Sequence, residues 1–466
     1  MLNKTLFFFL FYFIIAGCQQ VQDRTQTSEN SQVRDRLDVY EEMDYTLTEL
    51  MLKKWYPAIM DHEYGGYISR FNYRFEPEDP QDKMIVSQGR HIWSSSKFHE
   101  LFPDNEMYMT AASMGPPFLK DHMWDKQYGG FFQLVDRQGN PKDAEALKTA
   151  YGNAFAIYGL ASYFKVSGDS SALHLAIDTF HWLEKNSHDP EYKGYFNHLK
   201  RNGTPLTTRE ETVDGPKDQN SSIHLLEAFT ELYQVWPDEL LRERLNEMLV
   251  LIRDTIVTPV GSLTLFSYRD WQPISFKDSS REVVKEKFNL DHLSFGHDVE
   301  TAFLMLEASH VLGIENDEKT LEIGKKMVDH SLNKGWDTKT GGFYDGGYYF
   351  KGDDDVTIVK DTKNWWAQAE GLNTLLMMAD IFPDDPLNYE QKFYQLWDYT
   401  QRYLIDSEHG GWYSGGIDKQ PDLKTGTKGN IWKTSYHTGR SLMNCMRRLK
   451  GGPIYQEKEM PVMVSH

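Results

Sequence analysis

Three histidines in this chain stand beside other polar groups at helical spacing, and imidazole is the side chain whose charge changes near neutrality. In Ser294-Phe295-Gly296-His297-Asp298-Val299-Glu300, which opens the apolar run Thr301 to Ala308, His297 and Glu300 are three residues apart and project from one helix face. Asp298 falls in the first turn, against the positive end of the helix dipole. Asn220 and His224 are four apart in a second stretch, Asn220-Ser221-Ser222-Ile223-His224. A third runs Ile431-Trp432-Lys433-Thr434-Ser435-Tyr436-His437-Thr438-Gly439-Arg440. Two more polar helix starts carry Trp365, Trp366 and Glu370 in one case and Arg90, beside His91, in the other. Any one of these histidines alone reads as a satisfied interior side chain. Their recurrence at corresponding places in different helices points to one site.

Two imidazoles on opposite sides of a substrate can serve as base and acid with little pKa adjustment. Arg90 could hold an oxygen that gains negative charge in a transition state. Trp366 and Trp432 offer flat faces to a pyranose ring, and Tyr151, Trp365, Asn220 and Glu370 complete the candidate binding set. Histidine and glutamate are also metal ligands, but there is no His-Glu-x-x-His or cysteine-rich spacing, so no metal is expected. No cofactor is expected either, since no Gly-x-Ser-x-Gly, phosphate loop or dinucleotide fingerprint occurs in a convincing context.

The elements that must position these residues repeat. An acidic residue and glycines precede an aromatic at Asp61 to Tyr67, Asp125 to Phe131, Asp189 to Tyr195, Asp337 to Phe343 and Asp406 to Trp412, with a degenerate copy around Val260-Gly261-Ser262-Leu263. The spacing between copies, about 64 to 80 residues, fits two helices plus loops. Apolar residues between the turns recur at helical period, placing helices at 35–60, 87–101, 106–123, 147–167, 171–187, 219–235, 239–257, 295–312, 317–334, 362–381, 388–405 and 432–449. Twelve helices in six hairpins predict an all-α, closed (α/α)6 barrel with short Gly-rich, strand-like turns, an open solenoid being the competing arrangement. In the closed form the inner helices direct their N-termini toward one central funnel.

Size and charge bound the partners. The 466 residues, 40% hydrophobic, can bury a large core. Basic residues number 50 against 69 acidic ones, and the formal charge of −19 repels phosphate backbones, which argues against nucleic acid. The 12 tryptophans and 26 tyrosines suit a protein that presents aromatic faces to sugars. Residues 1–18 read as a signal peptide: Lys4, an apolar run from Leu6 to Ile15 too short to span a bilayer, then Ala16-Gly17-Cys18. Residues 19–33 read as a flexible tether, 34–452 as the catalytic barrel and 453–466 as a tail. With Cys18 committed elsewhere, Cys445 has no partner for an intrachain disulfide.

At these motifs the sequence resembles the N-acylglucosamine 2-epimerase superfamily, nearest to its cellobiose and mannobiose 2-epimerases. Ser-Phe-Gly-His-Asp-Val-Glu, Trp-Trp-Ala-Gln-Ala-Glu and Trp-Lys-Thr-Ser-Tyr-His-Thr-Gly-Arg carry the resemblance, which runs from roughly residue 35 to 450. It implies an (α/α)6 barrel and a cofactor-independent isomerase acting on a reducing mono- or disaccharide. His297 and His437 are implied to be the two acid/base groups, with His224 and Glu300 assisting ring opening, Arg90 supporting an enediolate, and Trp366 and Trp432 binding sugar rings. Ser222 and the Gly152-Asn153 pair depart from the family pattern, differences that bear on which sugar is bound. Ile15-Ala16-Gly17-Cys18 likewise resembles a bacterial lipobox, implying cleavage before Cys18, lipidation of its thiol, and a protein tethered to a bacterial membrane, facing the periplasm or exterior, as monomer or homodimer.

Epimerisation inverts C2 of the reducing-end aldose. Return of the proton to C1 instead would give a ketose, so an aldose–ketose isomerase and an N-acylglucosamine 2-epimerase are neighbouring alternatives. A glycoside hydrolase would need two carboxylates flanking the bond, with Asp214, Asp298 and Glu370 as candidates. A non-catalytic glycan-binding lipoprotein would keep the aromatics without needing three histidines in the funnel.

Overall fold

The computed structural model describes residues 34–455. The expected signal peptide, Cys18 and the tether therefore lie outside the described residues. Six inner helices, Ile85–Leu101, Ala150–Ser167, Gln219–Val235, Phe295–Leu312, Trp365–Ile381 and Tyr436–Leu449, pack in sequence order, and the last returns to the first. The ring is closed, which settles barrel against solenoid. Each of the first five inner helices pairs with the outer helix that follows it: Glu106–Phe118, Ser170–Asn186, Glu239–Leu251, Glu318–Gly335 and Tyr389–Tyr403. The sixth pairs instead with the chain's first helix, Arg36–Tyr45. That closure is fastened by Arg36 on Asp380 (2.8 Å) and Glu390 (2.7 Å), and by Trp397 Nε1 donating to Glu42 (2.7 Å).

Inner helices are apolar nearly all round, because they touch neighbours on both sides and an outer helix behind. The whole of Ala150 to Tyr163 except Tyr151 is buried, for instance. Several expected boundaries move for a common reason. Short antiparallel pairs pin the start of an inner helix to the next unit's loop: Lys83–Met84 with Leu134–Val135, Lys148–Thr149 with His198–Leu199, and Lys217–Asp218 with Phe266–Ser267. Bridges Leu293 to Gly347, Asn364 to Gly415 and Phe71 to Gly429 do the same for the other three. The chain is thus extended just before the helices expected from 147 and 362, which begin at Ala150 and Trp365, while the one expected from 432 begins at Tyr436 after bends at Ile431, Trp432 and Ser435. The first helix, expected to 60, ends at Trp55 after a π-helical turn, Thr46–Leu52, and a short helix, Arg281–Glu286, was not expected. Pro453 to Tyr455 begin the expected tail but pack on the barrel: Arg448 Nε donates to Ile454 O (3.1 Å) and Tyr455 stacks on His310.

The repeated turn proves to be one device used six times, at Met60–Tyr67, Trp124–Phe131, His188–Tyr195, Val257–Leu263, Trp336–Phe343 and Ile405–Trp412. In five copies the aspartate caps the turn and takes a buried lysine from the start of an inner helix or the loop before it: Lys83–Asp61, Lys148–Asp125, Lys217–Asp189, Lys363–Asp337 and Lys428–Asp406, all at 2.6–3.0 Å. The degenerate copy substitutes a Thr258–Ser262 hydroxyl pair. In four copies the turn's last backbone N–H is received by a side chain on the inner helix: Gln88, Asn153, Asp298 and Gln368, at 2.8–3.1 Å.

Candidate active site

Those helix-to-turn bonds fix the rotation of four inner helices, and two residues beyond three of the bonded side chains lie Arg90, Glu300 and Glu370. Fixing one side chain toward the outer turn therefore sends its i+2 neighbour toward the barrel axis. This places Asp298 outward, not in the funnel: Oδ1 accepts the Leu263 N–H (2.9 Å), and burial raises its pKa well above the carboxylate range. The expected dipole role at the helix start is replaced by this structural one.

All three histidines hold Nδ1 inside the protein and leave Nε2 for a ligand. His224 Nδ1 pairs with Glu227 (2.8 Å), His437 Nδ1 with Glu370 (2.7 Å), and His297 Nδ1 with Ser294 Oγ (2.7 Å). Trp366 contacts two of the imidazoles, its ring centroid 4.5 Å from that of His297 and 5.8 Å from that of His437. Burial, with smaller contributions from His224 and His292, lowers His297 to about 3. His437 is held well below its ordinary value by burial and then by the charges of Arg90 and Arg440. Both rings are accordingly neutral at physiological pH and able to accept a proton.

Beneath them lies Arg440. Its Nη2 donates to Glu300 Oε1 (2.6 Å) and contacts Glu370 Oε1 (2.7 Å), while Nη1 donates to Glu227 Oε1 and to the Tyr436 hydroxyl (2.6 Å). Glu370 is completely buried, and burial raises its pKa to about 8 despite Arg440, with Glu300 pushing in the same upward direction. Glu227 is subject to the same burial, but Arg440 and the His224 bond outweigh it and hold the carboxyl at about 2. Glu300, Glu370 and His437 could converge on a metal ion, their donor atoms lying within 4.8 Å of one another. The Arg440 guanidinium already supplies the positive charge at both carboxylates, so these residues do not fit a cation.

Arg90 is buried, stacked 4.4 Å over Phe155 and 5.0 Å over Tyr436, with Nη1 donating to Trp432 O (2.9 Å) and Nη2 to the Tyr151 hydroxyl (3.1 Å). Its Nε is buried without a protein partner. Tyr151 meets the His224 ring edge at 5.3 Å, and Asn220 lies beside its hydroxyl. Trp432 is half exposed. Trp365, by contrast, lies under Lys433, 5.1 Å from its ring, and Glu370 lies behind His437. The structure thus gathers His297, His437, Trp366, Glu300 and Glu370 into one cluster, joined through Arg440, Glu227 and Tyr436 to His224, and through the Tyr436 ring and Tyr151 to Arg90.

Sequence reasoning did not single out Arg440, Glu227, Tyr436 and Ser294. A signal was present: His224-x-x-Glu227 and His437-x-x-Arg440 repeat the spacing of His297-x-x-Glu300. Spacing did not reveal that Glu300 serves Arg440 and lies 3.8 Å from His437, while Ser294 holds His297. The carboxylates considered for hydrolysis do not flank a common space: Asp298 and Glu370 are buried in separate networks and Asp214 pairs with His198 (3.1 Å).

Imidazoles that keep Nδ1 occupied by the protein, beside the Trp366 ring and within an (α/α)6 barrel, make a candidate site for proton transfer. A profile of the N-acylglucosamine 2-epimerase family matches residues 66–440. The chain is 29% identical to a cellobiose 2-epimerase of Bacteroides fragilis, covering 86% of this chain and 96% of the relative. It is 30% identical to the cellobiose 2-epimerase of Ruminococcus albus, covering 87% and 98%. The solved cellobiose 2-epimerase from Bacillus thermoamylovorans superposes with a TM-score of 0.76 at 26% identity, over 88% of this chain and all of that one. The protein belongs to the N-acylglucosamine 2-epimerase family. It is a sugar epimerase, in the isomerase class.

Proposed function

We propose that the protein inverts C2 of the reducing-end aldose of a β-1,4-linked disaccharide or short oligosaccharide, as the cellobiose 2-epimerases it resembles are named for doing. The observation that carries the reading is that His297 and His437 are neutral, share Trp366 as a neighbour, and each keep Nδ1 occupied by the protein. His224, backed by Glu227, assists ring opening by exchanging protons with the anomeric and ring oxygens. The open-chain C1 carbonyl then acidifies C2–H, because the charge left by its removal delocalises as an enediolate. One neutral imidazole Nε2 takes the C2 proton, and the other, which enters the step as an imidazolium protonated from solvent, delivers its Nε2 proton to the opposite face; the two rings exchange protonation states and are reset through solvent. Oxidation level is unchanged, so the chemistry needs no redox partner. Arg90, held between Trp432 O and the Tyr151 hydroxyl, offers the positive charge of its guanidinium to the enediolate oxygens. Trp366 supports the reacting ring and the half-exposed Trp432 stacks on the second sugar.

The test is incubation with cellobiose, mannobiose, N-acetylglucosamine and mannose in deuterated water. Deuterium at C2 of an epimer that keeps the disaccharide skeleton is the expected result. A shortened product, or label at C1 of a ketose, would overturn the assignment. For the leader, we infer that Cys18 is lipidated and anchors the protein to a bacterial membrane, on the support of the Ile15-Ala16-Gly17-Cys18 sequence. Fatty-acid labelling that persists in C18A would refute this.

A further inference from the structure

Arg440 is on the last inner helix, yet its guanidinium meets carboxylates from three others: Glu227, Glu300 and Glu370. Each carboxylate is tied to a histidine by a bond or near contact, His224 to Glu227 (2.8 Å), and His437 to Glu370 (2.7 Å) and Glu300 (3.8 Å). The two ends of the guanidinium divide this labour. Nη1, with the Tyr436 hydroxyl, faces Glu227 and hence His224; Nη2 faces Glu300 and Glu370 and hence His437. A planar fork fixes the relative placement of several carboxylates, which a single point charge cannot do. Three carboxylates around one cation would also repel one another, and the raised affinity of Glu370 for a proton fits a cluster that relieves this by keeping a proton.

We propose that Arg440 is the positioning residue that couples the ring-opening histidine, His224, to the proton-transfer histidine, His437, so that one guanidinium sets the geometry of both steps. The proposal rests on the epimerase reading. Below Arg440 a narrow cavity of about 30 Å³, lined by Glu227, Thr230, Glu231, Gln234 and Phe303, runs along the barrel axis away from the histidines. Gln234 lies about 10 Å farther along its helix than Glu227, and is only half-buried. Truncating Arg440 would enlarge this acidic space, giving a small cation room and a route to the vacated place.

The experiment compares wild type, R440K and R440A with cellobiose in deuterated water, reading C2 label and, by exchange NMR, interconversion of the anomers. Wild-type C2 exchange is the control for the functional reading; its absence would defeat that reading before any variant is considered. With wild type active and R440K showing the wild-type melting profile, both rates should fall about 100-fold with KM little changed. In folded R440A, guanidinium chloride at sub-denaturing concentration should restore both rates above a sodium chloride control. Full activity in R440K, loss of only one rate, or restoration of only one would overturn the proposal. If R440A does not fold, R440K decides alone.

Discussion

His437 and His297 have matching roles in the proposed reaction and opposite surroundings. The His437 side is ionic: its imidazole pairs with a fully buried glutamate that shares a guanidinium with two more. The His297 side is nearly uncharged, with a serine hydroxyl at Nδ1 and an indole against the ring. His437 is thus held down by burial and by the charges of Arg90 and Arg440 in this ionic network, whereas His297 is held down by burial with smaller contributions from His224 and His292. Two chemically equivalent groups have therefore been given different electrostatic supports, one ionic and one nearly uncharged.

Breaking either side entirely should have the largest effect. H297A and H437A should each lower C2 exchange by about 10²- to 10⁴-fold in a folded protein; near-wild-type exchange in either would remove that histidine from the mechanism. Removing only the support should separate the two sides. A hydrogen bond to a charged group such as Arg440 is worth about 1.5–3 kcal/mol and a neutral one about 1 kcal/mol, so disturbing the first with E370Q should slow turnover about 10- to 100-fold and removing the second with S294A about 5- to 10-fold. Equal losses would show the supports to be interchangeable.

The pH dependence sharpens the comparison further. The Glu370 carboxyl is raised from 4.5 to about 8, so its contribution to stability is fully present below pH 4.5 and is lost as pH rises toward 8. In E370Q the fall in melting temperature across that window should flatten, while S294A should leave it unchanged. A slope identical to wild type in E370Q would mean that Glu370 does not hold its proton. The smallest effect on turnover is expected at Asp298, beside His297 but outside the funnel. Three other turns use an amide where Asp298 stands, so D298N should keep near-wild-type turnover. It should raise the melting temperature above pH 4 by a few degrees, since it removes a carboxyl that must stay protonated in the fold. A large loss of turnover would place Asp298 in the chemistry.

Much of the architecture was legible because its causes are local. Helical periodicity marked the twelve long helices, and the Gly-Gly-aromatic turns marked the six units, because glycines such as Gly129 and Gly130 adopt positive φ against Trp182, leaving no room for a side chain. Helix starts were misplaced by a few residues where strand bridges from the next unit hold the chain extended, and no local pattern carries that information. In the site, His297, His437, His224, Glu300 and Arg90 stood out by type and place. Arg440 did not, because its partners Glu300 and Glu227 are 140 and 213 positions away.

The sequence by itself determined the twelve helices and the six-fold repeat of the described residues, since each follows from short-range spacing and from the conformational demands of individual residue types. Only the tertiary structure decided which carboxylate serves which histidine. Ring closure brings helices distant in sequence to one axis, and burial there determines which charges must share a proton or a guanidinium. That is why Asp298 became a turn support, Glu300 a partner of Arg440, and Ser294 the neighbour of His297.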